Sequence, residues 1–174
     1  MALEDIGSLL IRVTIAWLFL SGAWASGKDE SARKFVTAKT GLVFKWRPDL
    51  FAHVGIFMAA AGGLSVLLGV FPRIGALALT IFLVPAAMIH LAMRRQVMAL
   101  EEKLRDGLTG KISFSARNDL DALGDLAALG HYTSALKNLS LIGPTAYLVL
   151  AGARAPMLIG FGPDWQLHGI LTQL

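Results

Sequence analysis

The chain is expected to be an all-α integral membrane protein: a transmembrane four-helix bundle with short amphipathic cytoplasmic helices. Three observations point there. Hydrophobic residues fill 55% of its 174 positions and charged residues only 16%, against roughly 45–50% and about 25% in soluble domains. The mean hydropathy is +0.61. The apolar residues gather in four runs of 20 or 21 residues, the length that carries a helix across ~30 Å of hydrocarbon. A chain of this length forms one domain, residues 1–174.

Segment one covers about 6–25, segment two 50–70, segment three 74–93 and segment four 134–153. The opening Met1-Ala-Leu-Glu-Asp has acids where a cleavable signal carries Lys or Arg, so segment one is expected to stay as a span. Segment four is the least apolar, with Lys137 and Asn138 in its first turn and Pro144 inside, and an Ala155–Phe161 stretch extends it or lies at the interface. Pro85 in segment three and Pro144 are expected to kink their helices.

The basic residues give the orientation. Lys28, Arg33, Lys34, Lys39, Lys45 and Arg47 fall in the loop 26–49. Arg94, Arg95, Lys103, Arg105, Lys111 and Arg117 fall in the loop 94–133, with Lys137 just beyond it. Only Arg12, Arg73 and Arg154 lie on the other side. The positive-inside rule then puts both long loops in the cytoplasm of an inner (plasma) membrane and both termini outside. Trp24, Phe44, Trp46 and Phe51 fall near the cytoplasmic boundary, and Phe161 and Trp165 near the outer one, as an aromatic belt would. The net charge of +4 therefore answers to a membrane surface rather than to nucleic acid. In the second loop, Val97, Leu100, Leu104 and Leu108 recur at helical spacing as a continuation of segment three. Asn118 and Asp119 are placed to cap a second short helix carrying Leu120, Leu123, Leu126 and Tyr132, and both helices are expected on the membrane surface.

Packing in lipid depends on close approach between helices. Segment two offers two small-residue rows for it, Gly55/Ala59/Gly63 and Ala61/Ser65/Gly69.

Chemistry is sparse. The chain has no cysteine, which removes disulfides, thiolate nucleophiles and cysteine-held iron–sulfur clusters. No phosphate-binding loop, nucleophile elbow, zinc-protease motif or dinucleotide fingerprint occurs. The protein is thus not catalytically self-sufficient, and no metal site is assigned. Ionisable residues at membrane depth remain as suspects. Arg12 lies six residues into segment one, about 9 Å deep, either snorkelling outward or facing inward as a cation for an anionic or carbonyl-bearing ligand. His53, His90 and His131 all fall near the cytoplasmic face, beside Lys137 and Asn138. They read as interfacial residues, as donors to a quinone carbonyl, or as ligands of a metal or haem. His168 falls on the other side.

Three stretches resemble the DoxX/DoxD family of small four-helix bacterial membrane proteins. They are Leu9-Leu-Ile-Arg-Val-Thr-Ile-Ala-Trp-Leu-Phe-Leu-Ser-Gly22, Ala61-Gly-Gly-Leu-Ser-Val-Leu-Leu-Gly-Val-Phe-Pro-Arg-Ile-Gly-Ala-Leu77 and Leu136-Lys-Asn-Leu-Ser-Leu-Ile-Gly143. Many members carry a glutamate near the start of helix two, where this chain has His53. The resemblance implies a membrane subunit or accessory of a quinone-linked oxidoreductase system, of the thiosulfate:quinone or thiol and oxidative-stress kind. Arg12, His53, His90, Lys137 and Asn138 would then be the cofactor-binding residues, and quinone the cofactor. A redox partner protein, soluble or membrane-bound, would supply the electrons, or the chain would assemble with copies of itself. The alternative is a non-catalytic scaffold whose basic cytoplasmic loops dock a soluble partner. A small-solute carrier ranks last, since no internal repeat occurs.

Overall fold

The computed structural model describes residues 3–108 and 110–152, and every regular element among them is an α-helix. The element order is α1 (Leu3–Gly27), α2 (Glu30–Thr40), α3 (Pro48–Leu68), α4 (Pro72–Leu108) and α5 (Phe114–Ala151). The Ala155–Phe161 stretch, Arg154, Trp165 and His168 lie outside the described residues.

Local chemistry explains the boundaries. Asp29 caps α2: its carboxylate accepts from the Ala32 amide at 2.7 Å and from the Ser31 hydroxyl at 2.7 Å. Those donors hold the exposed Asp29 carboxyl below the usual carboxylate range, the Ala32 amide acting most strongly. Within α2, Lys34 pairs with Glu30 four residues earlier at 2.7 Å. Pro48 starts α3, where the missing N–H costs nothing. Gly69 ends it in the left-handed conformation, φ 75°, with its amide donating to Ser65 O at 3.0 Å. The Ser65 hydroxyl then donates to Val70 O at 2.6 Å and so holds the short turn into α4. Ser113 caps α5 by accepting from the Ala116 amide at 3.2 Å.

α3 and α4 are the central pair. α3 packs on α1 along one side and on α4 along the other, and α5 packs along α4. The core joins Ile15 and Phe19 of α1, Ala59 and Val66 of α3, Leu79 and Leu83 of α4, and Leu148 of α5. Phe19 and Phe82 meet edge to face at 6.0 Å. Large apolar side chains on the outer surface, among them Trp17, Phe57, Leu64 and Ile81, are exposed. A soluble protein does not leave such a surface to water; a membrane protein gives it to lipid. α1, α3 and α4 are long and apolar enough to cross a membrane. Together the features make an all-α membrane protein.

Two sequence expectations change. The stretch after segment three does continue its helix, but 114–133 is no separate surface helix. It is the first half of an unbroken α5, which starts at Ser113 and not at Asn118 or Asp119. At 1.5 Å per residue the 37-residue α4 and 38-residue α5 are each about 56 Å long, well beyond a bilayer core of ~30 Å. Their extensions pack on each other as an antiparallel hairpin, with Arg105 bonded to Glu101 at 2.9 Å and to Asp121 at 3.1 Å. Ala128 is buried in this hairpin, while Leu100, Leu104, Leu123 and Leu126 stay exposed. α4 and α5 also run on through Pro85 and Pro144 without ending. Beside Pro144, Thr80 donates to Thr145 at 2.9 Å and Thr145 donates to Leu141 O at 2.9 Å, tying α4 to α5. Finally, the two rows on α3 are not both contact lines. Ala61 is exposed. The close line to α4 instead runs through Gly62, where an added Cβ would lie 3.0 Å from Gly75 O, and the line to α1 runs through Gly63 against Leu20.

Candidate functional site at the basic pole

Polar chemistry in the bundle divides between two ends. At the end where α1 begins and α3 finishes, Arg12 is fully buried. Its Nε donates to Val66 O at 2.9 Å and its Nη2 to Leu67 O at 3.0 Å. The last carbonyls of a helix have no intrahelical donor and carry the negative end of its dipole. A guanidinium with donors fixed in a fork suits two adjacent carbonyls. Arg12 therefore faces inward and does not snorkel, and the carbonyls that it holds are those of α3 itself.

The other end, the basic pole, is where α2, the α3 N-terminus and the α4–α5 hairpin meet. His90 of α4 and His131 of α5 come together there, with ring centroids 5.7 Å apart and planes tilted by 38°. His90 Nδ1 is buried and has no hydrogen-bond partner. A buried polar nitrogen without a partner is unusual in a settled core. Lys39, His131 and Lys137 are the charged or chargeable groups that act on His90 through space. One turn outward, Arg94 lies over the Tyr132 ring at 5.0 Å. There a cleft of about 410 Å³ opens between the helices, lined by Arg94, Met98, Glu101, Asp125, Leu129 and Tyr132.

The five residues singled out from the sequence thus do not form one site. Arg12 lies at the opposite pole from His90. His53 is exposed on α3, and its Nδ1 donates to Asp49 O at 2.7 Å, a bond within its own helix. Lys137 is exposed and Asn138 half-buried on α5, about two turns beyond His131. His90 and Lys137 are brought into electrostatic reach of each other. Two participants were not singled out. Lys39 enters from α2, half-buried beside Phe35 at 5.3 Å, and burial lowers the pKa of its ammonium. Tyr132 enters from the hairpin. The signal for Lys39 was its place on a short helix opened by Asp29-Glu30-Ser31 and laced by Glu30 and Lys34.

A quinone needs hydrogen-bond donors at its carbonyls, and His90 Nδ1, as N–H, supplies one that nothing in the chain consumes. The residues fit that group. Among the described residues no three His, Asp or Glu side chains converge as a metal site would require.

The DoxX family model matches residues 7–92. The match takes in α1 to α3 and α4 as far as the turn after His90, and so includes Arg12, His53 and His90 but not His131, Lys137 or Asn138. No curated protein and no solved structure matches the chain.

Proposed function

The chain belongs to the DoxX family over residues 7–92 and is a membrane protein, and from that premise we propose that it is a membrane subunit of a quinone-linked oxidoreductase system, working at its basic pole. The observation that carries the reading is the buried, unpartnered Nδ1 of His90 beside His131. In this reading His90 donates to a quinone carbonyl, His131 fixes the His90 ring, and Lys137 holds positive potential over the site. Bound quinone supplies the electron acceptor. With no cysteine in the chain, the electrons arrive from a partner protein, and the projecting α4–α5 hairpin is where such a partner meets the membrane subunit. The membrane is the inner (plasma) membrane, and the basic pole faces the cytoplasm because thirteen of the sixteen Lys and Arg residues lie on that side.

Thermal unfolding of the detergent-purified protein with added short-tailed ubiquinone and menaquinone analogues tests this. A ligand at a hundredfold excess over its Kd stabilises the folded state by about 2.7 kcal/mol, worth several degrees in a protein of this size. The expected result is a concentration-dependent rise in midpoint that His90→Ala removes. An unchanged midpoint with either quinone contradicts the reading.

A second reading has one observation in its favour. Leu123, Leu126 and Leu129, in the hairpin half of α5, are 65%, 67% and 57% exposed. A non-catalytic scaffold that docks a soluble partner would use such a face. It is distinguished by the same preparation: a partner retained through the hairpin, and no response to quinone.

A further inference from the structure

Between Asp119 and Lys137, α5 is amphipathic in the reverse of the sense expected for a helix in water. Its charged residues turn toward α4: Asp121 meets Arg105, and Asp125 lines the cleft between the two helices. Ala128 and Ala135 are buried. The opposite face, made of Ala122, Leu123, Leu126, Ala127, Gly130 and Thr133, is exposed and carries no charge. Leu123, Leu126, Gly130 and Thr133 follow one another at steps of three, four and three residues, the spacing of a seam between two helices. Lipid does not cover this face. Arg105 reaches Asp121, and the Glu101 side chain lies over Gly124. These contacts set Leu123 and Leu126 level with a stretch of α4 that carries Glu101, Glu102, Lys103 and Arg105, and such a run of charges belongs in water.

We propose that this face of α5 packs against the same face of a second copy, in a homodimer whose two-fold axis stands along the membrane normal. Copies in one membrane share one orientation, so two α5 helices meet side by side and parallel. The two-fold axis then sets each residue of the face opposite its own equivalent. An uncharged face is self-complementary in that arrangement. Leu123 and Leu126 leave water against their counterparts, and Ala122, Ala127 and Gly130 let the two backbones come close. A partner of another kind finds no charge here to pair with or to be steered by. Asp119 and Lys137, each facing its like across the axis, end the seam on either side. The proposal does not rest on the quinone reading, and the cleft lined by Asp125 and Tyr132 lies on another side of α5. It gives the leucine face to a second copy rather than to the soluble partner of the scaffold reading.

Because the chain has no cysteine, single thiols report the contact in the membranes of expressing cells. Leu126→Cys is expected to form a disulfide-linked dimer on mild oxidation at least tenfold faster than Lys103→Cys, an exposed position on α4 outside the seam. Adding Leu123→Glu to the Leu126→Cys chain is expected to slow the cross-link at least tenfold, because parallel pairing sets two glutamates face to face. Adding Leu100→Glu instead places the same charge on an exposed leucine of α4 and is expected to leave the rate within twofold. Leu123 is 65% exposed, so the glutamate is expected to leave the chain folded; Leu123→Ala is a milder variant, expected to slow the cross-link about threefold. The proposal is overturned if Leu126→Cys cross-links no faster than Lys103→Cys, or if Leu123→Glu slows it no more than Leu100→Glu does. Capture of the Leu126→Cys thiol by a different protein in place of a second copy also overturns it and gives the face to a soluble partner. Quinone plays no part in this readout, so the dimer and the quinone reading fail separately.

Discussion

Arg12→Ala is expected to cost roughly 3 kcal/mol of stability, because it deletes two charge-assisted hydrogen bonds from a fully buried site. Val66 O and Leu67 O lose their donors at 2.9 and 3.0 Å, and α3 loses the cation at its C-terminal end. In a membrane these carbonyls have no water to turn to, so the loss is not made good by solvent. Arg12→Lys is expected to recover less than half, since one ammonium on a flexible stem cannot reproduce the guanidinium fork. The unfolding midpoint in a mixed-micelle titration from mild detergent into dodecyl sulfate measures both. An alanine variant as stable as the parent would show that the α1–α3 contact does not depend on this group.

Gly62→Val comes next in size. Here α3 and α4 approach so closely that an added Cβ meets Leu79 Cδ2 at 2.8 Å and the backbone oxygen of Gly75 at 3.0 Å. The leucine can swing away; the Gly75 carbonyl is fixed in α4 and cannot. The helices must separate, and overpacking of this kind costs roughly 1–3 kcal/mol, with Leu79 and Leu83 of the core losing contact as well. Gly143→Ala on α5 is the natural comparison, because its Cβ would meet nothing within 4 Å. That change is expected to be neutral or stabilising by up to about 1 kcal/mol, since alanine is the better helix former. The same titration ranks the two, and a Gly62→Val protein no weaker than Gly143→Ala would contradict the close α3–α4 contact.

These two sites show what could be read from the chain and what could not. The apolar runs 6–25, 50–70 and 74–93 appear within three residues of α1, α3 and the start of α4, because a span is dictated by length and hydropathy, both local properties. The depth of Arg12 was equally legible. Its partners were not, since Val66 and Leu67 are more than fifty residues away and only packing brings them near. Gly62 was passed over for the same reason: four-residue spacing marks a face of a helix, and the neighbour decides which face is used. The start of α5 is not legible locally, because Asn118 and Asp119 are residue types as suited to capping as Ser113, which caps the helix. At the basic pole, the common side of His90 and His131 followed from the topology, whereas their ring contact needed the register between two long helices. His53 shares that side and is still turned outward.

The position of the basic pole relative to the membrane decides which partner and which ligand can reach His90. The absence of cysteine allows a direct measurement. Lys111→Cys places a single thiol at an exposed position in the turn between α4 and α5. With a membrane-impermeant maleimide, this thiol is expected to stay unlabelled in spheroplasts and to react in inverted membrane vesicles. Labelling in spheroplasts would put the hairpin and the histidine pair on the outer face and contradict the assignment.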